Sequence, residues 1–120
     1  MTQNLIWADY NTPMKELTEW TQTEFLMKKS DLEEQGIKVY LIDTILNPIE
    51  GAQTITYNPV ELKEAPKGSY FVFYCDTGKA SLDRLAEYKA KFPDQHCVSL
   101  RGGRGYWRPY LRSETLEHKS

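Results

Sequence analysis

Residues 71–88 read FVFYCDTGKASLDRLAEY, and this stretch decides the fold. With Tyr70 in front, its first half is YFVFY, an unbroken apolar and aromatic run. Such a run suits a strand covered on both faces, the situation of strands in parallel sheets. Its second half predicts an amphipathic helix from about Ser81 to Lys91, with Leu82, Leu85, Ala86 and Ala90 on one stripe and Glu87 and Lys91 spaced for an i,i+4 pair. Pro93 and Asp94 stop that helix. Between strand and helix lies a six-residue turn headed by Cys75.

Working outward, further strands are expected at Val39 to Ile42 (VYLI), Thr54 to Tyr57 (TITY) and Cys97 to Leu100 (CVSL). Thr21 followed three residues later by Glu24 reads as a capping box opening a helix through Phe25, Leu26 and Lys29. A short helical turn is expected through Val60, Glu61 and Leu62, after Pro59. Strands alternating with helices at this spacing predict an α/β fold with a mainly parallel central sheet and helices on both faces. The N-terminal segment, with Trp7, Tyr10 and Trp20, is expected to add an edge strand and cover the core.

The 120 residues suit one domain, with residues 1–19 as an N-terminal extension or edge strand and 113–120 as a polar tail. A formal net charge of −2 argues against nucleic-acid or membrane-surface binding driven by bulk charge. No apolar run approaches the roughly 20 residues that span a bilayer. MTQNLIWADYN lacks the basic start and apolar core of a signal peptide, so a cytoplasmic protein is expected. With two cysteines and two histidines, no metal site and no cofactor is expected. His96 has no spacing that marks it as a base for a cysteine.

Cys75 is placed at the carboxyl end of a strand and before a helix, where open α/β sheets bind ligands. The backbone N–H groups from Asp76 to Ser81 lack helical partners and can converge on an anion. Gly78 allows the bend. A thiolate held there gains from the amides and the helix start, with Lys79 adding positive charge and Asp76 opposing it. Arg101, Arg104 and Arg108 follow the last strand on the same edge and are expected to line the mouth. Trp107 reads as a packing residue. Cys75 ends one strand and Cys97 begins another, so neighbouring parallel strands would hold them on the order of 15 Å apart. A disulfide needs Cα atoms within about 7 Å, so Cys97 is expected to be a buried structural thiol.

Three stretches resemble the rhodanese-like family. YCDTGKAS is similar to the family's active-site loop, with Gly three positions after the cysteine and a small hydroxyl residue at the sixth. VSLRGGRGYW is similar to its late strand with Leu-x-Gly-Gly and a tryptophan, and VYLIDT followed by PIEGAQTI to its Leu-Ile-Asp strand and His-Ile-Pro-Gly-Ala turn. The likeness covers about residues 20 to 112. It implies a rhodanese-like fold and a sulfurtransferase moving sulfane sulfur from thiosulfate or a persulfide donor to cyanide or a thiol, with a protein as a further kind of acceptor. Cys75 would be the nucleophile, and the amides of Asp76, Thr77, Gly78, Lys79, Ala80 and Ser81 the cradle. The chain departs from the pattern at Ile45, where an arginine is usual, at Pro48, where the turn histidine is usual, and at Ala80, where many members carry Arg or Thr. These departures support a second expectation, a non-catalytic module for regulation or protein binding. A phosphatase or arsenate reductase would want an arginine closing the loop, yet the expected slots hold Ala80 and Ser81 and the first arginine is Arg84.

Overall fold

The computed structural model describes residues 18–109 and residue 111. Trp7, Tyr10 and the tail 113–120 lie outside the described residues. Five strands, β1 (Glu19–Trp20), β2 (Val39–Asp43), β3 (Thr54–Thr56), β4 (Tyr70–Tyr74) and β5 (His96–Leu100), form one sheet in the order β1-β5-β4-β2-β3. All four pairings are parallel. The edge strand expected near the N-terminus is β1, which aligns Glu19 with Ser99 and Trp20 with Leu100.

The period of two along each strand sorts the side chains between two cores. One core joins Val39 and Leu41 of β2, Val72 and Tyr74 of β4, and Val98 and Leu100 of β5 to Trp20, Phe25 and Leu26. The other joins Ile42, Phe71, Phe73 and Cys97 to Leu62, Leu85, Tyr88 and Phe92. Helix α1 (Gln22–Glu34) therefore covers the first face, and α2 (Pro59–Leu62) and α4 (Leu85–Lys91) cover the second. This double cover explains why YFVFY has no polar alternation. Phe73 stacks on Tyr88 at 3.9 Å, and Phe71 meets Phe92 edge-on at 5.3 Å. Truncating a phenylalanine buried in this way costs about 3–5 kcal/mol.

Local signals start and stop the elements. Thr21 and Glu24 form the capping box in both directions, Glu24 N–H donating to Thr21 Oγ1 (3.1 Å) and Thr21 N–H to Glu24 Oε1 (2.9 Å). Asn58 caps α2 by accepting from the amides of Val60 and Glu61, with Pro59 in the first turn.

The helix expected from Ser81 to Lys91 needs correction. It is two helices, α3 (Lys79–Asp83) and α4, separated at Arg84. The buried positions are Ser81, Leu85, Tyr88 and Phe92, whereas Ala86 and Ala90 are exposed. Spacings of four, three and four keep these side chains on one face across the break. The aromatic rings, larger than alanine methyls, take the inner side because they remove more apolar surface from water. Glu87 and Lys91 form no ion pair. The ion pairs among the described residues are Lys29–Glu33 and Lys79–Asp83.

Candidate functional site

The loops leaving β2 and β4 diverge. After β2 the chain sends Ile45, Ile49 and Ala52 to the first face, while after β4 it sends Leu82 and Leu85 to the second. The carboxyl ends of these neighbouring strands thus flank a switch point of the sheet, the usual position of a ligand crevice in this class of fold. Cys75 stands there, one residue beyond β4.

The turn is shorter than expected. Gly78, at φ +91, is the cap of α3, which begins at Lys79. Within it, Gly78 N–H donates to Cys75 Sγ at 3.2 Å and Ser81 N–H at 3.4 Å. Ser81 Oγ lies 3.5 Å from the same sulfur. Burial, the largest influence on Cys75, pushes its thiol pKa up. The hydrogen bonds from the Ser81 hydroxyl and from the amides of Ser81, Gly78 and Thr77 together outweigh it, so the thiol ionises below its ordinary value. Because α3 has only five residues, these individual bonds rather than a long helix dipole serve the sulfur.

A second loop clamps the first. Arg104 N–H donates to Cys75 O and Gly105 N–H to Asp76 O, both at 2.8 Å. The backbones meet so closely that a Cβ on Gly103 would stand 2.3 Å from Cys75 O, and one on Gly78 would stand 2.7 Å from Gly102 N. The glycines of RGGRG thus allow two loops to touch backbone to backbone.

Cys75 is only 3 % exposed. A cavity of about 750 Å³ opens beside it, lined by Thr77, Gly78 and Lys79 from the turn, by Thr21 and Gln22 from the start of α1, and by residues that include Arg101, Arg108 and Trp107. Cys75 does not line this cavity, and Gly78 stands at the boundary between them.

Of the residues singled out in the sequence, Cys75, Gly78 and Ser81 come together, and Thr77 adds its amide. Asp76 and Ala80 are exposed. Asp76 serves through its carbonyl, which Gly105 holds. Lys79, at the rim of the cavity, pairs with Asp83 at 3.1 Å, an exposed ion pair that offsets part of its charge. Arg101 and Arg108 face the cavity. Arg104 instead reaches away, its Nε donating to Pro48 O at 3.2 Å. Trp107 packs edge-on against Phe25 at 6.1 Å, in keeping with a packing residue.

The chain matches no family model, no curated protein and no solved structure.

Cys97 is a different kind of thiol. Phe71 is in register with Cys97, so Cys75 lies four residues further along the neighbouring strand, about 13 Å away. Both cysteines are free, and burial pushes the Cys97 pKa up to about 11. Among the described residues no group of three or more His, Cys, Asp or Glu side chains could hold a metal ion, and no helix is long and apolar enough to cross a membrane.

Two functional features escape the sequence reading. Ser99 contacts Ser81 from β5, and Asp43 organises the loop beside the site, its Oδ1 accepting from Ile45 N–H (2.9 Å) and its Oδ2 from Asn47 N–H (2.8 Å). A polar residue ending an apolar strand is the signal that marks Asp43. Ser99 carries none, because a serine inside CVSL reads equally as an exposed strand position.

Proposed function

We propose that this chain is a rhodanese-like sulfurtransferase that carries sulfur on Cys75. The observation that carries the reading is the Cys75 sulfur at the carboxyl end of β4, served by the amides of Gly78 and Ser81 and by the Ser81 hydroxyl. A nucleophile held in this way needs no separate base. The thiolate attacks the outer sulfur of an anionic donor such as thiosulfate. A new S–S bond forms, the donor's S–S bond breaks, and sulfite leaves with the bonding pair. The persulfide, itself an anion, keeps the same amide donors. Cyanide or a thiolate then takes the outer sulfur and returns Cys75 as thiolate. Arg101 and Arg108 line the neighbouring cavity together with Lys79, Glu19 and Asp83, and the near-neutral chain is read as cytoplasmic, with no nucleic-acid or membrane partner.

The test is intact-protein mass spectrometry after mixing with thiosulfate, for the native chain and Cys75→Ser. The expected result is a gain of one sulfur atom in the native chain, discharged by cyanide and absent in the variant. One observation favours a second reading, a non-catalytic rhodanese-like binding module: the sulfur is 3 % exposed and does not line the cavity. Failure to load from both thiosulfate and a persulfide donor would overturn the enzyme reading and favour that alternative.

A further inference from the structure

Ser99 sits inside β5, completely buried, and Ser81 on α3 is 1 % exposed. Their hydroxyl oxygens are 2.7 Å apart, an ideal length for O–H···O. Ser81 is the hydrogen-bonding partner of the Ser99 hydroxyl among the described residues. Ser81 Oγ has two further neighbours, Cys75 Sγ at 3.5 Å and Gly78 O at 3.4 Å.

Each hydroxyl has one proton to give and two positions at which to accept. If Ser81 donates to Ser99, the Ser99 proton is left without an acceptor in a dry interior, which is unfavourable. If Ser99 donates to Ser81, the Ser81 proton must turn elsewhere. The Gly78 carbonyl at 3.4 Å is long for an O–H···O bond, whereas 3.5 Å is an ordinary contact for the larger sulfur atom. With Ser99 donating, the Ser81 proton is offered to the Gly78 carbonyl or to the sulfur, and once Cys75 is a thiolate the charged sulfur is the stronger acceptor.

We propose that Ser99 is a positioning residue for Cys75: by donating to Ser81 Oγ it leaves the Ser81 proton for the sulfur once the thiol has ionised. The inference rests on the reading of Cys75 as the working nucleophile. The titratable and charged groups on the surrounding elements are Glu19 of β1, in register with Ser99, His96 and Cys97 of β5, Asp76 and Lys79 in the turn, Asp83 and Arg84 on or after α3, Arg101, Arg104 and Tyr106 after β5, and Asp43 and Tyr74 at the ends of β2 and β4. Substitution of either serine leaves every one of them in place, so a change in Cys75 ionisation between serine variants reports the hydroxyl pair.

The experiment measures the rate of Cys75 alkylation by iodoacetamide against pH on the full chain, with peptide mass spectrometry separating Cys75 from Cys97. Ser99→Ala is expected to move the Cys75 midpoint upward by about half a unit, or about a threefold slower reaction below the midpoint. Ser99→Thr and Ser99→Val share one shape and differ in the hydroxyl, so they keep the test decisive should the alanine variant be destabilised. Threonine should stay close to native and valine should shift. In a Ser81→Ala background, Ser99→Ala should add nothing, because its influence passes through Ser81. A native profile in Ser99→Ala and Ser99→Val, or shifts that add across the two serines, would overturn the proposal. Sulfur loading from thiosulfate is scored on the same samples. A shifted profile without loading would retain Ser99 in its role and remove only the sulfurtransferase reading.

Discussion

Gly103→Ala tests the clamp on the cysteine loop. Gly103 has φ +58 and ψ −154, a region that is essentially confined to glycine and costs a side-chain-bearing residue about 1–3 kcal/mol. Its new Cβ would also stand 2.3 Å from Cys75 O, 2.8 Å from Gly78 N and 2.9 Å from the Asp76 carbonyl carbon. Three backbone atoms cannot rotate away as a side chain would, so the two loops must separate, breaking the bonds to Cys75 O and Asp76 O. At about 1 kcal/mol for each bond, the expected loss is about 3–5 kcal/mol. Gly36→Ala is the control. Its φ is +84, yet nothing lies within 4 Å of its Cβ, so only the backbone cost of about 1–2 kcal/mol applies. Urea unfolding of both variants measures the difference, and the Cys75 alkylation profile is read alongside. Equal destabilisation by the two substitutions, or an unchanged Cys75 profile in Gly103→Ala, would refute the interlocked loops.

Three further outcomes are expected. Cys97, with its pKa raised by burial to about 11, stays a thiol while its unfolded counterpart ionises. Its contribution to stability is therefore complete below the unfolded value and is lost as pH rises from about 9 to 11, by about 3 kcal/mol, and urea midpoints across that range should fall less steeply in Cys97→Val. Gln22→Ala removes the donor to Arg108 O (2.8 Å) and the acceptor for Arg108 N–H (2.7 Å), so stability should drop by about 1–3 kcal/mol and amide exchange at Arg108 should accelerate. Leu46 is 79 % exposed at φ +55, so Leu46→Gly relieves backbone strain without exposing core, and the melting temperature should hold or rise by a few degrees, equivalent to about 1 kcal/mol at most.

The strands and the cysteine turn were legible because their signals are local. YFVFY announces a doubly covered strand, Thr21 with Glu24 announces a helix start, and Cys-x-x-Gly after a strand announces a bend. What was not legible depends on partners distant in sequence. Aliphatic periodicity puts Leu82, Leu85, Ala86 and Ala90 on one stripe, and of these only Leu85 is buried, because Tyr88 and Phe92 take the inner face by meeting Phe71 and Phe73 of β4. The break at Arg84 shows no proline or glycine. Gly78 was readable as a bend, but its close contact with Gly102 joins residues 24 positions apart through the adjacency of β4 and β5. The same adjacency brings Ser99 to Ser81, and no pattern within CVSL shows it. Three arginines after β5 share one edge, yet side-chain direction separates Arg104, turned to Pro48, from Arg101 and Arg108.

The clamp has a temporal consequence. Every sheet pairing here joins parallel strands, and the bonds that fix the Cys75 turn come from Ser99, Arg104 and Gly105. Non-local pairings of this kind form slowly. During synthesis, the chain must extend 30 residues beyond Cys75 before Gly105 exists to hold Asp76. A growing chain therefore carries the Cys75 turn without its clamp, and the bonds to Cys75 O and Asp76 O arrive only after the last strand has formed.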